Sequence, residues 1–155
     1  MSQIGAGYEL PLLLLGGFRQ VVDGAHRRLA ELGYPESRPA HGFAMQAIGP
    51  GSTASEVARE LGVSKQAAAK TIETLERLDY VCRSTDPADA RRKLVVPTAR
   101  GIGMLAASAQ AFDEVQAQWV HAAGGEVVAG IRDGLSRLAG EQARRLDSLG
   151  WLGTE

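Results

Sequence analysis

The stretch between Thr53 and Val96 constrains this chain most, because within it the hydrophobic pattern changes from helical to strand-like. Thr53-Ala54-Ser55-Glu56 sets a hydroxyl at a helix cap and a carboxylate three residues on, a capping box. The helix it opens has Val57, Ala58 and Leu61 on its apolar face. Gly62-Val63 interrupts, and Ser64 can cap a second helix by accepting from the free N–H groups of its first turn. That helix is expected over residues 64–78, with Ala68, Ile72, Leu75 and Leu78 inward. Tyr80-Val81-Cys82-Arg83 and Lys93-Leu94-Val95-Val96 are then β-prone, and Thr85-Asp86-Pro87-Ala88-Asp89-Ala90 between them is turn chemistry.

Two helices joined by a short glycine turn, followed by a hairpin, form a winged helix-turn-helix. In such modules the N-terminal residues of the second helix face base edges in the major groove. Here these are Ser64, Lys65, Gln66, Ala69 and Lys70. Gln can bridge adenine N6 and N7, Lys can donate to guanine or phosphate, and a run of alanines keeps the helix slim. The hairpin adds Arg91, Arg92 and Lys93, with Arg83 on the opposite strand, a local basic patch suited to a minor groove. Phosphate contacts are expected from Lys65, Lys70, Arg83, Arg92 and Lys93, and discrimination from Gln66 and Arg91.

The rest of the chain is read as helical. A first helix over residues 10–32 presents Leu14, Phe18, Val21, Ala25, Leu29 and Leu32, with Pro11 suited to its first turn and Gly33 to its stop. Gly16, Gly17 and Gly24 weaken it, so its stability must come from packing. A short helix over 39–48 turns Phe43, Ala44, Ala47 and Ile48 inward. After Thr98, one helix is marked by Ile102, Leu105, Ala109, Phe112, Val115 and Trp119. A second is marked by Val128, Ile131, Leu135, Leu138, Leu146 and Leu149. Both approach heptad spacing and so suit packing against another helix or a second chain. The expected architecture is mainly α with a small antiparallel β-wing. Residues 1–37 form an N-terminal dimerisation helix, 38–97 the DNA-binding module, and 98–155 C-terminal dimerisation helices.

The wing Asp86-Pro87-Ala88-Asp89-Ala90-Arg91-Arg92-Lys93-Leu94-Val95, with Thr98-Ala99-Arg100-Gly101 after it, resembles the MarR family of bacterial transcription regulators. So does the helix-turn-helix Glu56-Val57-Ala58-Arg59-Glu60-Leu61-Gly62-Val63-Ser64-Lys65-Gln66, and the layout matches over nearly the whole chain. The resemblance implies a homodimer on a palindromic double-stranded DNA operator, acting as a repressor released by a small, often aromatic, anionic effector. It also implies that Arg91 enters the minor groove and that Asp89 braces the wing arginine. Pro97 replaces the family's usual Leu, and Ala90 a frequent arginine, whose phosphate contact then passes to Arg92.

Composition sets the bounds. The chain has 155 residues and a net charge of −1, which excludes a uniformly basic protein but not a local basic stripe. That low basic excess leaves a second reading open, a winged-helix protein-interaction module without an operator. One cysteine excludes a disulfide framework and multi-Cys zinc sites, and Cys82 is expected to be a small buried hydrophobe rather than a redox sensor. His26, His41 and His121 lack metal-ligand spacing, and His41 is read as a surface or cleft-lining residue. Gly101-Ile102-Gly103-Met104-Leu105-Ala106 matches a dinucleotide pattern without the βαβ context it needs. Trp119 is assigned to core or dimer interface, and Trp151 is left undecided. No catalytic arrangement and no cofactor is expected. The first nine residues carry no Lys or Arg, and the apolar run after them is too short to span a membrane, so the expected compartment is the cytoplasm.

Overall fold

A computed structural model describes residues 6–140. The elements run α1 (Ala6–Glu31), α2 (Pro39–Ile48), α3 (Ala54–Leu61), α4 (Lys65–Arg77), β1 (Val81–Thr85), β2 (Lys93–Pro97), α5 (Ala99–Ala123) and α6 (Gly125–Ala139). This is the mainly helical fold with an antiparallel wing that the sequence implied. Leu146, Leu149 and Trp151 lie outside the described residues.

The strands pair antiparallel with Arg83 opposite Val95 and Thr85 opposite Lys93. Ser52, in the α2–α3 connection, exchanges two backbone hydrogen bonds with Val95 on the other edge of β2, at 2.8 and 3.1 Å. The wing is therefore stitched to the helix-turn-helix by main-chain bonds. The main core lies beneath it, where Met45 and Ile48 of α2, Val57 of α3 and Ile72 and Leu75 of α4 close around Tyr80 and Val95. Leu29 of α1 and Met104 of α5 also enter it.

The structure departs from the sequence reading in several places. α1 begins at Ala6, so Pro11 falls in its second turn rather than its first and removes one intrahelical bond there. The expected face of α1 is buried only in its later half, at Ala25 and Leu29, while Leu14 and Phe18 are exposed. In α2, Met45 rather than Phe43 is fully buried. In α5 the buried stripe is Gly101, Met104, Ala111 and Val115, whereas Ile102, Ala109 and Phe112 face outward. Cys82 is exposed and not buried. It follows the buried Val81 in β1, and alternation along the strand turns it to the opposite face.

The glycines of α1 have a packing reason. α1 lies against α5, where a Cβ on Gly24 would stand 3.1 Å from Val115 Cγ2 and one on Gly17 3.3 Å from Trp119. Small residues let the two backbones approach, and Ala25, Ala111 and Val115 fill the seam. Arg28 crosses it to Glu114 at 2.6 Å.

The junction of wing and α5 is tighter still. α4 ends with Asp79 in the left-handed region at φ 59°. The Thr98 hydroxyl donates to the Asp79 carbonyl at 2.5 Å and accepts from the Gly101 N–H at 3.0 Å. The Thr98 N–H donates to the Tyr80 carbonyl. Gly101 rests on that same carbonyl: any Cβ would collide with it and would sit 2.8 Å from Met45 Cε. A Cβ on Gly103 would lie 2.5 Å from the Tyr34 hydroxyl. The two glycines of the dinucleotide-like pattern are thus spacers for two tyrosines.

Gly101→Ala is expected to destabilise the fold by about 1–3 kcal/mol through overpacking. Gly42→Ala, in α2 with open space around it, should stabilise by up to about 1 kcal/mol. Urea denaturation of both variants measures this; equal effects would contradict the close approach described.

Candidate nucleic-acid interface

α4 is built as its local sequence dictates. Thr53 Oγ1 accepts from the Glu56 N–H at 3.2 Å, and Glu56 Oε2 accepts from the Thr53 N–H at 2.8 Å, closing the capping box of α3. Gly62 takes the left-handed conformation at φ 68° and turns the chain into α4. Ser64 caps α4 by accepting from the Ala67 N–H at 3.1 Å. Ala68, Ile72 and Leu75 are buried, leaving Lys65, Gln66 and Lys70 exposed and Ala69 half-buried. The outward face of α4 therefore carries the polar residues proposed for base and phosphate contact.

The wing tip is ordered by its two aspartates. Asp86 Oδ1 accepts from the Ala88 N–H at 2.9 Å, and Asp89 Oδ1 accepts from the Arg91 N–H at 3.0 Å. Asp89 thus braces the backbone of Arg91, and the guanidinium of Arg91 stands exposed with no ion pair among the described residues.

The other basic groups of the wing are occupied. Arg92 pairs with Glu56 Oε1 at 2.6 Å and with Asp86 Oδ2 at 3.3 Å. Arg83 makes a bidentate pair with Glu76 of α4, at 3.0 and 3.2 Å. Lys93 donates to Thr85 Oγ1. Sequence reasoning took the wing as a local basic patch and missed the pairing of its arginines with Glu56 and Glu76. These lie 36 and 7 residues from their partners, separations that no local pattern exposes.

Behind the wing, Tyr80 is wholly buried and its hydroxyl donates to Glu36 Oε1 at 2.9 Å. Arg100 donates to the same oxygen at 2.6 Å and lies over the rings of Tyr34 and Tyr80 at 5.1 and 5.6 Å. Burial and the Glu36 bond push the Tyr80 hydroxyl well above the ordinary tyrosine range. Glu36 is held below the ordinary carboxylate range by its own backbone N–H, then by Tyr80 and Arg100. This cluster ties the α1–α2 connection to the root of the wing. His41 is not simply a surface residue: its Nδ1 accepts from the Arg38 N–H at 3.1 Å at the start of α2. Burial, with Arg38 second, holds its pKa below the ordinary histidine range. Among the described residues no group of His, Cys, Asp and Glu could hold a metal ion.

Comparison with known proteins agrees with this geometry. Residues 44–92, from α2 through the wing tip, match the family model described as "MarR family". The winged helix-turn-helix of this chain is similar to that of the MarR family. The whole fold extends the likeness. A MarR-family transcriptional regulator from Rhodococcus sp. RHA1 is similar with a TM-score of 0.65 and 20% identity, over 88% of this chain and 96% of that one. CouR from Rhodococcus jostii RHA1, solved bound to p-coumaroyl-CoA, gives 0.64 and 21% over 88% and 96%. A point mutant of MepR from S. aureus, solved bound to an oligodeoxyribonucleotide, gives 0.58 and 20% over 86% and 97%. No curated protein sequence matches.

Acid should lower the stability of the fold over two pH ranges. His41, its pKa lowered on folding from an ordinary 6.5, binds protons more readily when unfolded, so stability drops as pH falls below that value. The lowered carboxylates Glu36 and Glu56 contribute fully above their ordinary 4.5 and lose that contribution as pH falls through their folded values. Denaturant midpoints between pH 7 and 3 should show both stages, and His41→Asn should remove the first; an unchanged profile would contradict the capping role.

Proposed function

We propose that this protein is a sequence-specific transcriptional regulator that binds a double-stranded DNA operator as a homodimer. The observation that carries the reading is the juxtaposition of a capped helix offering Lys65, Gln66 and Lys70 with a wing whose Arg91 guanidinium is unengaged. Ser64 and the first turn of α4 supply donors for a phosphate. Gln66 and Arg91 carry discrimination, in the major and minor groove respectively. Lys65, Lys70 and Lys93, together with Arg83 and Arg92 once released from their carboxylates, position the duplex. Ala69 allows close approach, and Asp89 shapes the tip. Residues 38–97 form the reading module, and 1–37 and 98–155 the dimerising parts.

Dimerisation is supported by what the flanking helices leave uncovered. α1 exposes Tyr8, Leu10, Leu13 and Phe18, α5 exposes Ile102 and Phe112, and α6 exposes Ile131 and Leu138. A chain with this much apolar helix surface in water gains by pairing it. Two-fold pairing sets the reading helices roughly 34 Å apart, one turn of a palindrome. The family resemblance favours repression, release by a small aromatic or anionic ligand, no enzymatic activity, and a cytoplasmic location beside the chromosome. Such release is a population shift: a ligand that binds best when the reading helices are wrongly spaced removes the dimer from DNA. Among the described residues no helix is long and apolar enough to cross a membrane.

Selection from a random duplex pool should return a palindromic site. Binding to it should weaken with salt at a log–log slope of about −0.9 per phosphate contact. A flat salt response, or no selected duplex, would transfer the reading to a protein-interaction module. Arg91→Ala should weaken operator binding by about 1–3 kcal/mol; an unchanged gel-shift titration at fixed salt counts against the wing. Light scattering should show a dimer at micromolar concentration, which Phe112→Glu should dissociate.

A further inference from the structure

The part of the module that runs from α3 through the wing is close to electrically neutral. From Thr53 to Pro97 it carries eight Lys and Arg against seven Asp and Glu, which is unusual for a surface meant to meet a polyanion. The placement of the acids is selective. Two wing arginines are each met by a carboxylate from a different element: Arg92 by Glu56 at the start of α3, Arg83 by Glu76 near the end of α4. Neither carboxylate is free to follow its arginine away from the protein. The second oxygen of Glu56 is engaged in the capping box, and Glu76 projects from a helix. The Arg91 and Lys65 side chains have no such carboxylate among the described residues.

Resting on the DNA-reading function proposed above, we infer that Glu56 and Glu76 are specificity-determining residues of the interface. They compete with phosphate for Arg92 and Arg83. Half-exposed ion pairs of this kind are individually weak, so a phosphate brought into hydrogen-bond reach displaces the carboxylate. A duplex held loosely, through a layer of water and counterions, offers only long-range attraction, and against that each paired arginine is already neutralised. Loose, sequence-independent binding arises almost wholly from that attraction. Glu56 and Glu76 therefore suppress random-duplex binding more than operator binding, where α4 is seated and phosphates lie close. Arg91 and Lys65 stay available for the first encounter.

Glu56→Gln and Glu76→Gln remove the charges while keeping the side-chain shape, and Gln can still serve in the capping box. The test titrates full-length protein and both variants with a selected operator and with a random duplex, across a range of salt. The expected result is a rise of about tenfold in random-duplex affinity at low salt for the double variant. Operator affinity should rise less than threefold, and the random-duplex slope should steepen by about 0.9 for Arg83 and by less for Arg92, which keeps its pair with Asp86. In an Arg83→Ala background, where Glu76→Gln releases no arginine, the rise in random-duplex affinity should be clearly smaller and the salt slope should not steepen by the full ~0.9. Unchanged random-duplex binding, an equal rise for both duplexes, or an effect of undiminished size in the Arg83→Ala background overturns the inference, the last by exposing a general charge effect. If Glu56→Gln does not fold, Glu76→Gln alone carries the test, since Glu76 takes no part in a cap. Failure of the unmodified protein to bind any duplex would instead overturn the DNA-reading function itself.

Discussion

The close seating of Gly101 on the carbonyl of Tyr80 positions everything on either side of it. α5 can begin where it does only because residue 101 has no side chain, and Thr98 makes that start rigid by bonding to Asp79 and Gly101 together. Tyr80 is at once the first residue beyond the turn that ends α4 and the residue before β1. One backbone contact thus fixes α4, the wing and α5 in a single arrangement. The Tyr80 hydroxyl carries the same linkage to Glu36, and Arg100, one residue before Gly101, reaches Glu36 as well. This knot ties α5 to the α1–α2 connection as well as to the root of the wing.

The second theme is charge held in balance. The wing is basic in sequence, yet in the folded chain Arg83 and Arg92 are paired while Arg91 stands open. Asp86 and Asp89 also serve the turn, where each bonds a backbone N–H two residues on. The acids near the interface therefore have structural duties as well as electrostatic ones. Glu56 shows this most clearly, since one of its oxygens starts a helix and the other holds a wing arginine.

Much of the helix-turn-helix was legible because its signals are local. Capping at Thr53 and Ser64, the left-handed turn at Gly62 and the buried positions of α3 and α4 each depend on residues within four of one another. The flanking helices were legible as helices but not in their faces. Apolar residues surround much of α5, so periodicity selected Ile102 and Phe112 when packing against α1 and Tyr80 required Gly101 and Ala111. Small residues carry little hydrophobic weight, and a seam made of them is hard to see in a sequence. Cys82 was misplaced because a two-stranded wing leaves one face of β1 open, which β-propensity does not report.

By itself, the sequence determined the order of elements, the caps that start α3 and α4, the turn chemistry of the wing, and the polar face of α4. All of these follow from interactions a few residues long. Only the tertiary structure decided which acids meet which arginines, why two glycines open α5, how Ser52 ties the wing down, and which apolar residues remain outside. Those outcomes join residues far apart in the chain, and they rest on close approach, which no one-dimensional period encodes.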